Sequence, residues 1–146
     1  MKASRILLVE DSAQDVELTL NALAEHKLSN SVDLARDGAE ALDYLYKRGA
    51  HAARQSVNPV LILLDLKMPK VDGLEVLRMV KADPRLRTIP VVILTSSREE
   101  QDVVRSYELG VNAYVVKPVE FDKFVGAVRE LGLFWMLLNE APPGRG

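Results

Sequence analysis

Five short runs of Ile, Val and Leu, separated by segments with helical spacing, restrict this chain more than any other feature. The runs lie in "RILLVE" (5–10), "VDLA" (32–35), "VLILLD" (60–65), "PVVILT" (90–95) and "AYVVK" (113–117). Unbroken apolar runs of this length suit strands buried on both faces, as in a parallel sheet. Between them the apolar residues recur at helical intervals. Val16, Leu20, Leu23 and Ala24 share one face, and Ala39, Leu42, Leu45 and Tyr46 another. Leu74, Leu77 and Val80 follow, then Val103, Val104 and Tyr107, then Phe121, Phe124, Val125 and Val128. Gly110 stands where a helix stop is expected. The pattern is β-α repeated about five times. It predicts an open, doubly wound α/β sheet with right-handed crossovers and helices on both faces. Residues 47–59 read as a loop with some helical extension, and Asp37-Gly38 reads as a turn.

Size and composition agree with one globular domain. The chain has 146 residues, 48% of them hydrophobic and 27% charged, with a formal net charge of −2. That charge gives no sign of a DNA-binding surface. Cysteine is absent, which excludes disulfides and thiolate metal sites. No apolar stretch reaches the roughly 18 residues of a membrane span, and the N-terminal run is too short for a secretory signal. A cytoplasmic protein is expected, with a domain over residues 1–140 and a disordered tail over 141–146.

In open α/β sheets ligands bind beyond the carboxyl ends of the strands. The residues ending the apolar runs are Glu10 and Asp11, then Asp65, Thr95 and Lys117. Three acids, a hydroxyl and an amine therefore meet on one edge. The acids would repel one another unless a cation intervened. Mg²⁺ suits such a set, since it takes oxygen ligands and often pairs one or two carboxylates with a phosphate oxygen. That combination points to phosphoryl chemistry, with a carboxylate as nucleophile. Each residue alone has a simpler reading. Asp11 or Ser12 could cap the first helix. Asp65 could be an acid in solvent, Thr95 a helix cap, Lys117 a strand end and Tyr114 a core residue. His26 and His51 are expected to face solvent, because neither has a metal-ligand neighbour at helical spacing. The argument rests on the joint placement.

Taken together the motifs resemble the response-regulator receiver domains of two-component signalling. The matching stretches are the acidic pair in "LLVEDS", the acceptor in "LILLDLKMPKVDG", the hydroxyl in "VVILTSS" and the lysine in "YVVKP". They cover nearly the whole chain. The resemblance implies a flavodoxin-like five-stranded parallel sheet of order 2-1-3-4-5. It implies Asp65 as phosphoacceptor and Mg²⁺ as cofactor. The metal would be held by Asp11, Asp65 and the backbone carbonyl of Lys67, with Glu10 acting through water. Thr95 and Lys117 would contact the phosphoryl group, Thr95 and Tyr114 would form the switch, and the Lys117–Pro118 peptide would be cis. The protein would then be a signalling module rather than an enzyme, beyond accepting and hydrolysing its own phosphoryl group.

Rival readings meet specific obstacles. A flavodoxin needs a phosphate-binding loop after its first strand, and "VEDSAQD" would repel a phosphate. An aspartyl-nucleophile phosphatase would want a second acid two residues after Asp65, where Lys67 stands. A P-loop signature is missing. A receiver-like module that works without phosphorylation would be marked by loss of the acceptor or the lysine, and both are present.

Beyond the last helical face the chain continues "LGLFWMLLNE", apolar nearly all round, which suggests an extended last helix and an interaction surface. The lengthened loop before the third strand and this Phe-Trp pair are similar to the single-domain regulators paired with phytochrome histidine kinases. That narrower resemblance implies a phytochrome-type sensor kinase as partner. It also implies a homodimer through the fourth helix, the fifth strand and the last helix, with Tyr107, Phe134 and Trp135 at the interface.

Overall fold

A computed structural model describes residues 5–24, 32–52, 58–66, 68, 73–95 and 110–132. Five strands form one all-parallel sheet in the order β2-β1-β3-β4-β5. They are β1 (Ile6–Val9), β2 (Val32–Ala35), β3 (Leu61–Asp65), β4 (Val91–Thr95) and β5 (Ala113–Val116). The helices are α1 (Ala13–Ala24), α2 (Gly38–Tyr46), α3 (Gly73–Ala82) and α4 (Phe121–Glu130), with a short 3-10 turn at Gly49–His51. The expected fold class and strand order are met. Among the described residues no helix is long and apolar enough to cross a membrane.

Strand side chains alternate between two faces, and each face has its own core. Leu7, Val9, Ile62 and Leu64 pack under α2 and α3 with Leu45 and Leu77. Ile6, Leu8, Leu61 and Leu63 pack under α1 and α4 with Leu23 and Phe124. β1 and β3 are fully buried along their length. Each large apolar side chain so buried contributes about 1.5–3 kcal/mol.

The edges differ from the reading of every run as doubly buried. β5 alternates, with Tyr114 and Val116 exposed at 41% and 40%. β2 is only partly covered. Neighbours on both sides protect a central strand, whereas β5 pairs only with β4 among the described residues. Ala24, placed by its spacing on the inner face of α1, is exposed instead. Leu23, beside it, is fully buried in the core.

The stretch at Asp37-Gly38 does more than turn the chain. Asp37 Oδ1 accepts from the Glu40 amide at 2.7 Å, and Glu40 Oε1 accepts from the Arg36 amide at 2.9 Å. This reciprocal arrangement caps α2. Glu40 Oε2 also meets His51 Nε2 at 3.3 Å, so His51 is half-buried rather than solvent-facing. At the β2 edge, Asp33 takes a two-pronged contact from Arg5 and a hydrogen bond from the Tyr44 hydroxyl. Gly110 turns at φ +90°, a conformation glycine adopts without strain. His26, the face at Val103, Val104 and Tyr107, the extended last helix beyond Gly132 and the tail at 141–146 lie outside the described residues.

Gly73 ties α3 to the strand end below it. Its amide donates to Leu66 O at 2.9 Å. A Cβ there would stand 2.2 Å from the Asp65 carbonyl oxygen and 2.6 Å from Leu66 Cα. Both are backbone atoms and cannot swing aside. Gly73→Ala should therefore destabilise the fold by about 1–3 kcal/mol, the usual range for overpacking. Urea unfolding measures this, and an unchanged midpoint would contradict the packing described.

Candidate functional site

The site lies at the C-terminal rim of the sheet and is built from strand ends. β1 runs parallel to β3 in the register Val9↔Leu64, so Glu10 and Asp65 emerge side by side. Glu10 continues the ladder toward β2 through its amide bond to Ala35 O at 3.0 Å. This keeps its carboxylate fully buried, while Asp11, one residue on, is exposed. Asp65 ends β3 and is itself buried. Thr95 ends β4 one position beyond Leu94, the partner of Asp65, and pairs with Val116 of β5. The Thr95 side chain and all of Lys67 lie outside the described residues. β5 then delivers Lys117, whose peptide bond to Pro118 is cis.

Lys117 reaches across the rim. Its Nζ stands 2.6 Å from Glu10 Oε1, 3.0 Å from Asp15 Oδ2 and 3.4 Å from Asp65 Oδ1. Burial alone would lower the pKa of this amine. Its contacts to Glu10 and Asp15 and the charge of Asp65 outweigh that, so the net shift is upward and the ammonium stays charged. Burial pushes the Glu10 carboxyl up to about 7, with Lys117 opposing the shift and the Asp65 charge reinforcing it.

The acidic side of the site fits a hard cation. Glu10, Asp11 and Asp65 each present an oxygen within 4.8 Å of the others. Glu10 Oε1 strengthens the case. It is buried, with the Lys117 ammonium at 2.6 Å as its charged neighbour. A buried carboxylate oxygen is costly unless positive groups or water serve it. The three acids are therefore compatible with a divalent metal.

Asp15 is the member that the strand-end argument missed. It sits in the first turn of α1, four residues after Asp11, and accepts a hydrogen bond from Lys117 Nζ. The signal available was the third acid in "VEDSAQD", at helical spacing from Asp11. The capping question at this helix also resolves. Ser12 Oγ accepts from the Asp15 amide at 3.2 Å, and the Ser12 amide donates to Glu10 Oε2 at 3.2 Å. Ser12 thus caps the helix, and Asp11 is not needed for that role.

Comparison with known proteins agrees with this arrangement. The family described as response regulator receiver domain matches residues 6–129. The chain is 42% identical over 131 residues to the response regulator Rcp1 of Synechocystis sp. (strain ATCC 27184 / PCC 6803 / Kazusa), spanning 90% of this chain and 88% of Rcp1. Rcp1 has a crystal structure in a Mn²⁺-bound form, which superposes with a TM-score of 0.75 over 97% of this chain and 99% of that one, at 40% identity. The bacteriophytochrome response regulator RtBRR is 64% identical, with a TM-score of 0.85 over 98% of this chain and 86% of its own. The bacteriophytochrome response regulator AtBRR is 62% identical, with a TM-score of 0.86 over 96% of this chain and all of its own. Relatedness of this extent, on a sheet of the expected order, means that the chain belongs to the response regulator receiver domain family of two-component signalling and is closely related to phytochrome response regulators.

Proposed function

We propose that Asp65 is the phosphoacceptor of this receiver and that a phytochrome-type sensor histidine kinase is the donor. The observation that carries the reading is the approach of Lys117 Nζ to within 3.4 Å of Asp65 Oδ1, beside the clustered oxygens of Glu10, Asp11 and Asp65. In the transfer, an Asp65 oxygen forms a bond to phosphorus while the bond from phosphorus to the donor nitrogen breaks, its electron pair leaving on that nitrogen. Mg²⁺, when bound, supplies positive charge to the transferring oxygens. Asp11, Asp65 and the Lys67 carbonyl would hold it, with Glu10 acting through water. Lys117 neutralises the phosphoryl group from the β5 side, and Thr95, at the end of β4, donates to it from a third direction. A kinase that draws its phosphoryl group from nucleotide works in the cytoplasm, and the reading places the protein there.

The signal then leaves through protein contacts. Tyr114 lies on the outward side of β5, partly exposed, three residues before Lys117. Its neighbour on that side is Val116, also exposed. A shift of Thr95 toward the phosphoryl group would let Tyr114 turn inward and change this surface, which is a population shift of the ordinary kind. We read the homodimer contact, symmetric about a two-fold axis, as formed by the β5 edge with Tyr107, Phe134 and Trp135.

Three outcomes follow from this reading. With acetyl phosphate and Mg²⁺, the protein should gain one phosphoryl mass by intact mass spectrometry, while Asp65→Asn, or the wild type in excess chelator, should gain none. An equal adduct on Asp65→Asn would place the chemistry elsewhere. Lys67 stands two residues after the acceptor, where its ammonium would cover the phosphoryl group and hinder the attacking water. Lys67→Ala should then shorten the lifetime of the phosphorylated form by roughly tenfold, the scale of one lost charge contact, and equal lifetimes would dismiss that role. Finally, Phe134→Ala combined with Trp135→Ala should halve the mass seen by light scattering. A mass that does not change would exclude this interface.

A further inference from the structure

Lys117 is the cation assigned to the phosphoryl group, yet its hydrogen bond is made to Asp15 rather than to Asp65. Nζ donates to Asp15 Oδ2 at 3.0 Å, against 3.4 Å for its distance to Asp65 Oδ1. Asp15 is well placed to hold it. A carboxylate in the first turn of a helix is favoured by the positive end of the helix dipole. Its own amide is fastened to Ser12 Oγ, and its neighbour Val16 is buried in the core. The Asp15 side chain keeps 33% of its surface exposed, whereas that of Lys117 keeps 8%.

An ammonium has three N–H groups. Glu10, Asp15 and Asp65, carried by three different elements, already surround this one within 3.4 Å. A phosphoryl group on Asp65 would bring roughly one to two further negative charges and several acceptor oxygens to the same ammonium. Contact kept with Asp15 is then contact withheld from phosphate. The Asp15 carboxylate also repels the phosphoryl oxygens directly, so both effects act in one direction.

We propose that Asp15 is a positioning residue that competes with the phosphoryl group for Lys117 and thereby makes the phosphorylated state less stable. The inference rests on Asp65 as phosphoacceptor and adds a residue specific to the α1 side of the site. Asp15 need not touch phosphorus to act. It sets how much of the Lys117 ammonium is available.

Beryllium fluoride, a stable mimic of the acyl phosphate, provides the test. Its affinity is measured by calorimetry at saturating Mg²⁺ for wild type, Asp15→Asn, Asp15→Glu and Glu17→Gln. Glu17 is an exposed acid of the same helix, so its variant removes the same charge without touching Lys117. Asp15→Asn should bind about threefold to tenfold more tightly, the scale of losing one part-exposed ion pair. Asp15→Glu should stay near wild type, and Glu17→Gln should not change. A second arm needs no ligand: a urea-unfolding cycle of Asp15→Asn with Lys117→Met should be non-additive. Equal or weaker binding by Asp15→Asn, the same gain in Glu17→Gln, or additivity in the cycle would each overturn the inference alone. Failure of the wild type to bind beryllium fluoride would overturn the phosphoacceptor reading and this inference with it, while the cycle still reports on the ion pair.

Discussion

One buried ammonium holds the rim of this sheet together. Lys117 is the positive charge that Glu10, Asp15 and Asp65 share. Two like charges about 4 Å apart repel by roughly 4 kcal/mol at the effective dielectric of a protein surface. A cluster of acids at strand ends is therefore tolerable only with cations among them. The ammonium balances part of that charge, and the remainder is compatible with a divalent ion among Glu10, Asp11 and Asp65. The upward shift of Glu10 to about 7 comes first from its burial, with the Asp65 charge adding to it and Lys117 opposing it.

The scaffold makes the cluster possible by being indifferent to it. Both faces of the sheet are closed by separate cores, so the rim is free to carry polar groups without loss of packing. Parallel pairing brings every strand out at the same edge, and the register sets Glu10 beside Asp65. The close approach of Gly73 to the Asp65 carbonyl holds β3 against α3. At the far end β5 has one paired edge and one open side among the described residues. The strand that supplies Lys117 is thus also the strand that presents Tyr114 to the outside.

The stretch from Val103 to Tyr107, the segment from Leu133 onward and Lys67 lie outside the described residues. Within the described part, the positions that were hard to read share a cause. Asp15 belongs to a helix rather than a strand end, so a search along strand ends passes it by. Asp37 and Glu40 form a capping pair across a stretch that reads only as a turn. His51 meets Glu40 across eleven residues, a distance no local pattern spans.

The fold, and the meeting of Glu10, Asp65 and Lys117 at one rim, were written in the chain itself. Apolar runs alternating with helical spacing dictate a parallel sheet, because only such a sheet buries unbroken runs on both faces. Parallel strands in turn leave their final residues on one edge, which is why Glu10, Asp65, Thr95 and Lys117 were legible before any coordinates. Which charge pairs with which was decided by tertiary structure. Pairing depends on distances of a few ångströms between elements far apart in sequence, such as the 102 residues between Asp15 and Lys117. Edge exposure was settled at the same level, since a strand has an open side only once its neighbours are known.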